Sequence, residues 1–528
     1  MRAARAASPA GPTGDEQPIV RRLSWTRLGL LLVLVGALAG GTYASLTGAV
    51  GRASGTATTT SWSVPYVDVT LTPTFQFQDP AANPARTVAL AFVVADPDED
   101  CAPSWGTYYS LDEAGSTLEL DRRIEQLRSA GGDVMVSFGG QANDELAVEC
   151  TSTRELTSAY RDVVERYDLS VIDLDIEGIA VADQASAARR AEALAALQRE
   201  RVEDGSPLDI WLTLPVAPGG LTSEALDLVR TTLDGGVELT GVNVMTMNYG
   251  ASRPATQSMI LATEQALRAT AGQVQVLYEE QGTRLSDAQA WSRVGATPMI
   301  GQNDVEGEVF TLDDAQQLTA FVRDNGVGRV SLWSLNRDTG CGASFADVAV
   351  HSTTCSGVEQ ESLAFVDVFS GLTGDGPAVR VSDVIRDPAR QPVVDDPATS
   401  PYPVWRAEGQ YPAGYKVVWH GEVYQARWYT AGVDPSVPAT TGTEAPWALL
   451  GAVTTKEAAP APVPTATGVT EAWNPETLYQ RGARVLLGGL PYEARWASRG
   501  EAPGTLFPIG PDEAWAPLFT IPGEPTGS

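Results

Sequence analysis

From residue 62 onward the chain alternates between two hydrophobic periods. Short apolar runs of strand character stand at Tyr66–Thr70, Val88–Ala95, Asp133–Phe138, Val171–Glu177, Ile210–Pro215, Gly241–Met247, Ala296–Ile300 and Arg329–Trp333. Between most of them, apolar residues recur every three to four positions. These stretches are Leu118–Ser129, Arg154–Tyr167, Gln184–Arg201, Ser223–Thr232, Ser258–Thr270 and Leu312–Asn325, with a last one at Leu363–Phe369. That spacing predicts helices. Eight apolar strands with helices between most of them over residues 62–373 predict an α/β fold, a (β/α)8 TIM barrel.

One strand breaks the apolar rule. In Val171-Ile-Asp-Leu-Asp-Ile-Glu-Gly178 the alternation of a strand puts Asp173, Asp175 and Glu177 on one face and Ile172, Leu174 and Ile176 on the other. Three like charges in register repel, and a fold gains no stability from them. Three readings compete. The run could be a solvated surface face. It could be a calcium loop, since Asp-x-Asp-x-Glu-Gly mimics the first positions of an EF-hand; position 12 is then Gln184 rather than the bidentate Glu. Or it could be a glycoside-hydrolysing site. Crowded carboxylates titrate as a set, and one of them stays protonated near neutrality, ready to protonate a leaving oxygen. Glu177 stands at the expected C-terminal mouth of the strand, where barrel active sites lie. It is the candidate acid, with Asp175 as its partner.

The stretch resembles the signature of glycoside hydrolase family 18, the chitinases and their relatives, Asp-x-x-Asp-x-Asp-x-Glu; the first Asp falls on Ser170 here. Further motifs follow on the expected strands. Ser137-Phe-Gly139-Gly140 is similar to the family's Ser-x-Gly-Gly, Met247-Asn-Tyr249 to its Met-x-Tyr, and Trp333 to the Trp that floors the central sugar subsite. The resemblance implies a retaining, substrate-assisted chitinase acting on chitin or N-acetylglucosamine oligosaccharides. Glu177 is then the acid, Asp175 and Tyr249 hold the substrate's acetamido group, Asp173 shares charge with Asp175, and Met247, Gly139, Gly140 and Trp333 line the site. Two alternatives stay open: an endo-β-N-acetylglucosaminidase on other N-acetylated glycans, and a non-catalytic chitin-binding lectin.

Residues 402–451 and 472–521 are an internal repeat at a spacing of 68 (473 − 405 = 68). Trp405, Tyr411, Tyr424, Trp428 and Trp447 return as Trp473, Tyr479, Tyr492, Trp496 and Trp515. Units this short are expected to be small all-β modules whose aromatics cannot all be buried. They resemble the chitin-binding modules of carbohydrate-binding families 5 and 12. That likeness implies stacking by Trp428 and Tyr429 in the first copy and by Trp496 in the second, where Ala497 replaces the second aromatic. Residues 374–401 and 452–471 read as linkers.

At the other end, residues 1–27 carry five Arg against Asp15 and Glu16, and 28–46 is uncharged and mostly apolar. Nineteen helical residues span about 28 Å, close to a bilayer core. This predicts a signal anchor or signal peptide, a linker at 47–61, and an exported remainder, secreted or tethered to the outer face of the cell membrane. Export predicts disulfides, and by proximity the pairs are Cys101–Cys150 and Cys341–Cys355. A net charge of −30 argues against nucleic acid or an anionic membrane surface as partner. Four cysteines and two histidines argue against a dedicated metal site. No metal or cofactor is expected, and the protein is expected to be a monomer.

Overall fold

The computed structural model describes residues 62–342, 351–372, 395–437, 445–454, 462–504, 513–521 and 523–524. The expected leader, its linker at 47–61 and most of the 374–401 linker lie outside the described residues. Within the described residues no helix is long and apolar enough to cross a membrane.

The strands Thr87–Ala95, Asp133–Gly139, Val171–Asp175, Asp209–Ala217, Leu239–Met245, Val294–Thr297 and Arg329–Val330 pair in parallel, each with the next. The segment 62–68 closes the ring. Its Trp62–Ser63 half pairs with Arg329–Val330 and its Tyr66–Asp68 half with Thr87–Ala95. Pro65, which has no N–H, separates the halves, and the ladder runs on through Val64 to Val330 (2.9 Å) and Tyr66 to Leu332 (3.0 Å). The result is an eight-stranded parallel barrel with its helices outside.

Two apolar layers fill it. The larger lies between barrel and helices and includes Leu90, Ile172, Leu174, Leu212, Val244, Leu194 and Leu318. The smaller lies inside the barrel and holds Trp62, Val64, Tyr66, Met135 and Trp211, with Phe92 and Trp333 packed against it. Ile172 and Leu174 therefore face the helices, and the alternate acidic residues Asp173 and Asp175 face the barrel interior.

The expected elements recur with instructive differences. Helix Met259–Glu280 runs ten residues past the expected end, because Ala271, Val274 and Leu277 continue its buried stripe. The helices Leu111–Thr117 and Asp287–Trp291 were not expected. The seventh strand ends at Thr297, just before Pro298. The fourth strand ends at Asp175, two residues short of Glu177.

Both expected disulfides are formed, Cys101–Cys150 and Cys341–Cys355. Each C-terminal copy folds as a small antiparallel sheet, and the repeat is preserved in register. Val417 opposes Tyr424 as Val485 opposes Tyr492, and Ala426 opposes Trp447 as Ala494 opposes Trp515. Trp447 and Trp515 are buried, with Trp405 and Trp473 packed against their cores.

The first copy is not a loosely tethered unit. It sits on helix Leu120–Ser129 of the barrel, where buried Glu119 gathers Lys416 Nζ (2.8 Å), Arg122 Nε (2.9 Å) and the Tyr402 hydroxyl. Arg427 pairs with Asp79 at 3.0 Å, and Gln78 donates to the Leu449 carbonyl at 3.2 Å.

Candidate active site

Three acidic residues on one strand are tolerable only if their charges are handled one at a time. Asp173 is the deepest, with no solvent exposure. Its Oδ1 accepts from Arg329 Nη1 and the Thr213 hydroxyl, and its Oδ2 from the Tyr66 and Ser137 hydroxyls, all at 2.7 Å. A buried carboxylate with four donors, one of them a guanidinium, is a stable anion. Arg329 also donates to the Tyr66 hydroxyl (3.0 Å) and to Ser331 (2.9 Å). Burial and the neighbouring Asp173 push the Tyr66 phenol well above its ordinary range, so it serves as a fixed donor.

Asp175 is different. It is buried, and its Oδ1 has no hydrogen-bond partner. Burial, then the charges of Glu177 and Asp173, raise its pKa well above the ordinary carboxyl value, against the pull of Arg329. Such a group leans toward its protonated form, and it has an oxygen free for a ligand.

Glu177 lies just outside the strand in an extended conformation, followed by a turn of 3-10 helix at Gly178–Val181. Its pKa is raised to about 7, first by burial and then by the charge of Asp304. A carboxyl that titrates there can give a proton and take it back at neutral pH. The contribution of Asp304 was not foreseen, since the sequence pointed only to crowding within the strand.

The two glycines of Ser137-Phe-Gly139-Gly140 are required by contact. Both have positive φ, +98° and +88°. A Cβ at Gly139 would stand 2.2 Å from the Asp175 carbonyl oxygen, and one at Gly140 about 2.8 Å from the Phe92 ring. The Gly140 N–H donates to that same carbonyl at 2.9 Å. The motif thus fixes the backbone that carries Asp175. Trp333 stacks on Phe92 with centroids 5.4 Å apart and meets Tyr66 edge-on at 6.0 Å, forming an aromatic floor inside the barrel.

Tyr249 is a correction. Its side chain is buried in the layer between barrel and helices, and its hydroxyl meets Thr263 of helix Met259–Glu280 at 3.4 Å. That places the phenol away from the carboxylates. The sixth strand ends at Met245, and the chain then turns through Asn248 at φ +50°, sending Tyr249 outward. Met247 is buried at the same strand end.

Tyr66, Ser137, Thr213 and Arg329 were missed as functional residues. Arg329-Val-Ser-Leu-Trp333 carried the signal: a strand that alternates Arg, Ser and Trp inward offers a cation to an acidic neighbour. In the C-terminal copies Trp428, Tyr429 and Trp496 are exposed at 42%, 59% and 41%. Among the described residues no cluster of side chains could hold a metal ion.

The comparisons place the likeness of this barrel among chitinases. The chain is 37% identical over 316 residues to a probable bifunctional chitinase/lysozyme of Escherichia coli (strain K12), covering 58% of this chain and 34% of that protein. It is 38% identical over 281 residues to Endochitinase 11 of Metarhizium anisopliae, covering 52% of each. The chain thus spans about half or less of the length of these curated relatives. Among solved structures, the catalytic domain of the hyperthermophilic chitinase from Pyrococcus furiosus superposes with a TM-score of 0.51 at 26% identity, covering 59% of this chain and 95% of that one. No family model matches the chain.

Proposed function

We propose that this protein is a family 18 chitinase that cleaves β-1,4 bonds between N-acetylglucosamine units with retention of configuration. The observation that carries the reading is the division of labour on one strand. Asp173 is held as an anion by Arg329, Asp175 is pushed toward its protonated form, and Glu177 titrates at about 7. Asp175, the carboxyl that shares the face with Glu177, is pushed toward its neutral form and is a poor nucleophile, so the substrate's own acetamido group takes that part, a recognised departure from the two-carboxylate scheme.

In this scheme Glu177 protonates the glycosidic oxygen as the bond to the anomeric carbon breaks. The acetamido carbonyl oxygen forms the new bond to that carbon, giving an oxazolinium ion. The free Oδ1 of Asp175 accepts the acetamido N–H and so orients that group for attack. Glu177, now a carboxylate, takes a proton from water, which attacks the same face and reopens the ring. Asp173 supplies fixed negative charge behind Asp175, and Trp333 supports the sugar ring. Tyr249 has no part.

The test is Glu177→Gln. Turnover of chitin oligosaccharides should fall by several orders of magnitude while binding to them persists. Wild-type hydrolysis by that variant would remove Glu177 as the acid. A second reading, action on peptidoglycan-type sugars, is favoured by the relative named as both chitinase and lysozyme. Release of reducing ends from cell wall against chitin decides between them.

The C-terminal copies act as chitin-binding modules in this proposal, through the exposed faces of Trp428, Tyr429 and Trp496. Export through the segment at 28–46 places the enzyme outside the cell, where chitin would be met.

A further inference from the structure

One step of the barrel has no helix. The first strand segment ends at Asp68 and the second strand begins at Thr87. Among the described residues, 69–86 form turns and no helix. A helix satisfies its own backbone groups, whereas an irregular segment must find partners for them. Here side chains supply them. Asn83 donates to the Phe77 carbonyl and Gln76 to the Thr74 carbonyl, both at 2.9 Å, and Arg123 of helix Leu120–Ser129 donates to the Phe75 carbonyl. Phe77 enters the core between barrel and helices, with the Arg123 guanidinium 4.3 Å from its ring centroid. Connecting segments ordinarily lie open to water, yet Phe77, Gln78 and Arg123 expose no more than 1% of their surface.

The first C-terminal repeat covers them. Gln78 accepts from Arg123 Nε at 2.9 Å and passes its own amide to the Leu449 carbonyl. Arg122 donates to the Ala452 carbonyl. Gly451 comes so close to the helix that a Cβ there would stand 2.8 Å from Arg122 Cγ and 2.9 Å from the Arg122 carbonyl oxygen. Its φ of +141° also favours glycine. The second copy carries different residues at the matching positions, 68 further on. Gly451 becomes Phe519, Tyr402 becomes Thr470, and Lys416 becomes Arg484, which pairs with Glu493 of its own sheet at 2.8 Å. Val418 and Leu450 are buried, whereas their counterparts Leu486 and Leu518 are half-buried. The copies share a core and differ on the face that meets the barrel.

We propose that the first repeat stands in for the barrel's missing first helix: it is a fixed wall that holds residues 69–86 and helix Leu120–Ser129 in place. The segment it holds joins Tyr66, which donates to Asp173, to the strand that bears Phe92. The exposed rings of Trp428 and Tyr429 are thereby carried on the barrel itself. None of this depends on the reaction assigned to Glu177.

Amide hydrogen exchange of the full chain, read by mass spectrometry, tests the proposal through two variants. Tyr402→Thr with Lys416→Ala trims the contact, and neither residue belongs to the Trp447 core of the repeat. Gly451→Phe sets the second copy's residue against the helix. In both, exchange over 69–86 and Leu120–Ser129 should quicken at least tenfold. Helix Ser223–Asp234, across the barrel, should exchange as in wild type, and strand Glu422–Ala426 reports the fold of the repeat. Barrel segments as protected as in wild type would overturn the proposal, most sharply if Gly451→Phe strips protection from the repeat and leaves 69–86 protected. Quickening that spreads equally to Ser223–Asp234 would overturn it too, since the repeat would then not support this wall in particular.

Discussion

Arg329 donates to Asp173 at 2.7 Å, and neither side chain is exposed to solvent. This ion pair, at the centre of the barrel, lets the acidic strand exist. Taking one partner from a buried pair leaves the other uncompensated, at a cost of about 3–5 kcal/mol. Arg329→Met should therefore destabilise by that order, read from urea unfolding, while Asp173→Asn combined with Arg329→Met should recover much of the loss. A single variant as stable as wild type would mean that the pair does not neutralise the strand.

Glu177 gives a pH dependence of stability with a definite sign. Its folded pKa of about 7 lies above the ordinary 4.5 of a Glu carboxyl. Between those values the folded state binds more protons than the unfolded one, so its contribution falls as pH rises through that window. Glu177→Gln removes the effect. The variant should gain melting temperature over wild type at pH 8 relative to the same comparison at pH 4. Parallel Tm curves across the range would contradict the raised pKa.

Gly139 tests the support of Asp175. Gly139→Ala places a Cβ within 2.2 Å of the Asp175 carbonyl oxygen at a backbone φ of +98°. Strain of this kind costs about 1–3 kcal/mol. The strand end must shift, and kcat should fall at least tenfold while the protein remains folded by circular dichroism. Unaltered kcat would show that the turn does not govern the position of Asp175.

The contact between barrel and first repeat should also depend on pH. Burial raises the Glu119 pKa, but the charges of Lys416 and Arg122 outweigh it and hold the group below its ordinary value. Its stabilising contribution is present above the unfolded pKa and is lost as pH falls through the folded one. Lys416→Met should lower Tm at pH 7 and have less effect at pH 3. An equal effect at both would point to packing rather than charge.

The exposed aromatics predict unequal copies. Trp428→Ala with Tyr429→Ala should reduce retention on chitin beads by about tenfold, the equivalent of 1.4 kcal/mol, and Trp496→Ala by less. The first copy presents two rings and the second presents one beside Ala497. Undiminished retention in the triple variant would assign the binding to the barrel alone.

The barrel and its acidic strand were legible because both rest on local periodicity. Alternation placed Asp173 and Asp175 on the interior face, and the order of strands fixed which motif met which. What the sequence could not reveal depended on closure of the ring. Arg329 is 156 positions from Asp173, and only the pairing of the first strand with both the eighth and the second brings it alongside. Asp304, whose charge helps to raise the Glu177 pKa, lies on a loop of no periodicity, and Glu119 meets Lys416 across two domains. Tyr249 was misjudged because a motif on a strand end does not specify which way the chain turns after it. One residue in the left-handed conformation, Asn248, was enough to send the phenol outward.

The central claim is that Glu177 works with the substrate's own acetamido group. The configuration of the first product tests it most directly. Proton NMR in the first minutes of chitin oligosaccharide hydrolysis should show the β-anomer as the initial product for the wild type and no product for Glu177→Gln. An initial α-anomer, or β-anomer released equally fast by Glu177→Gln, would contradict the account.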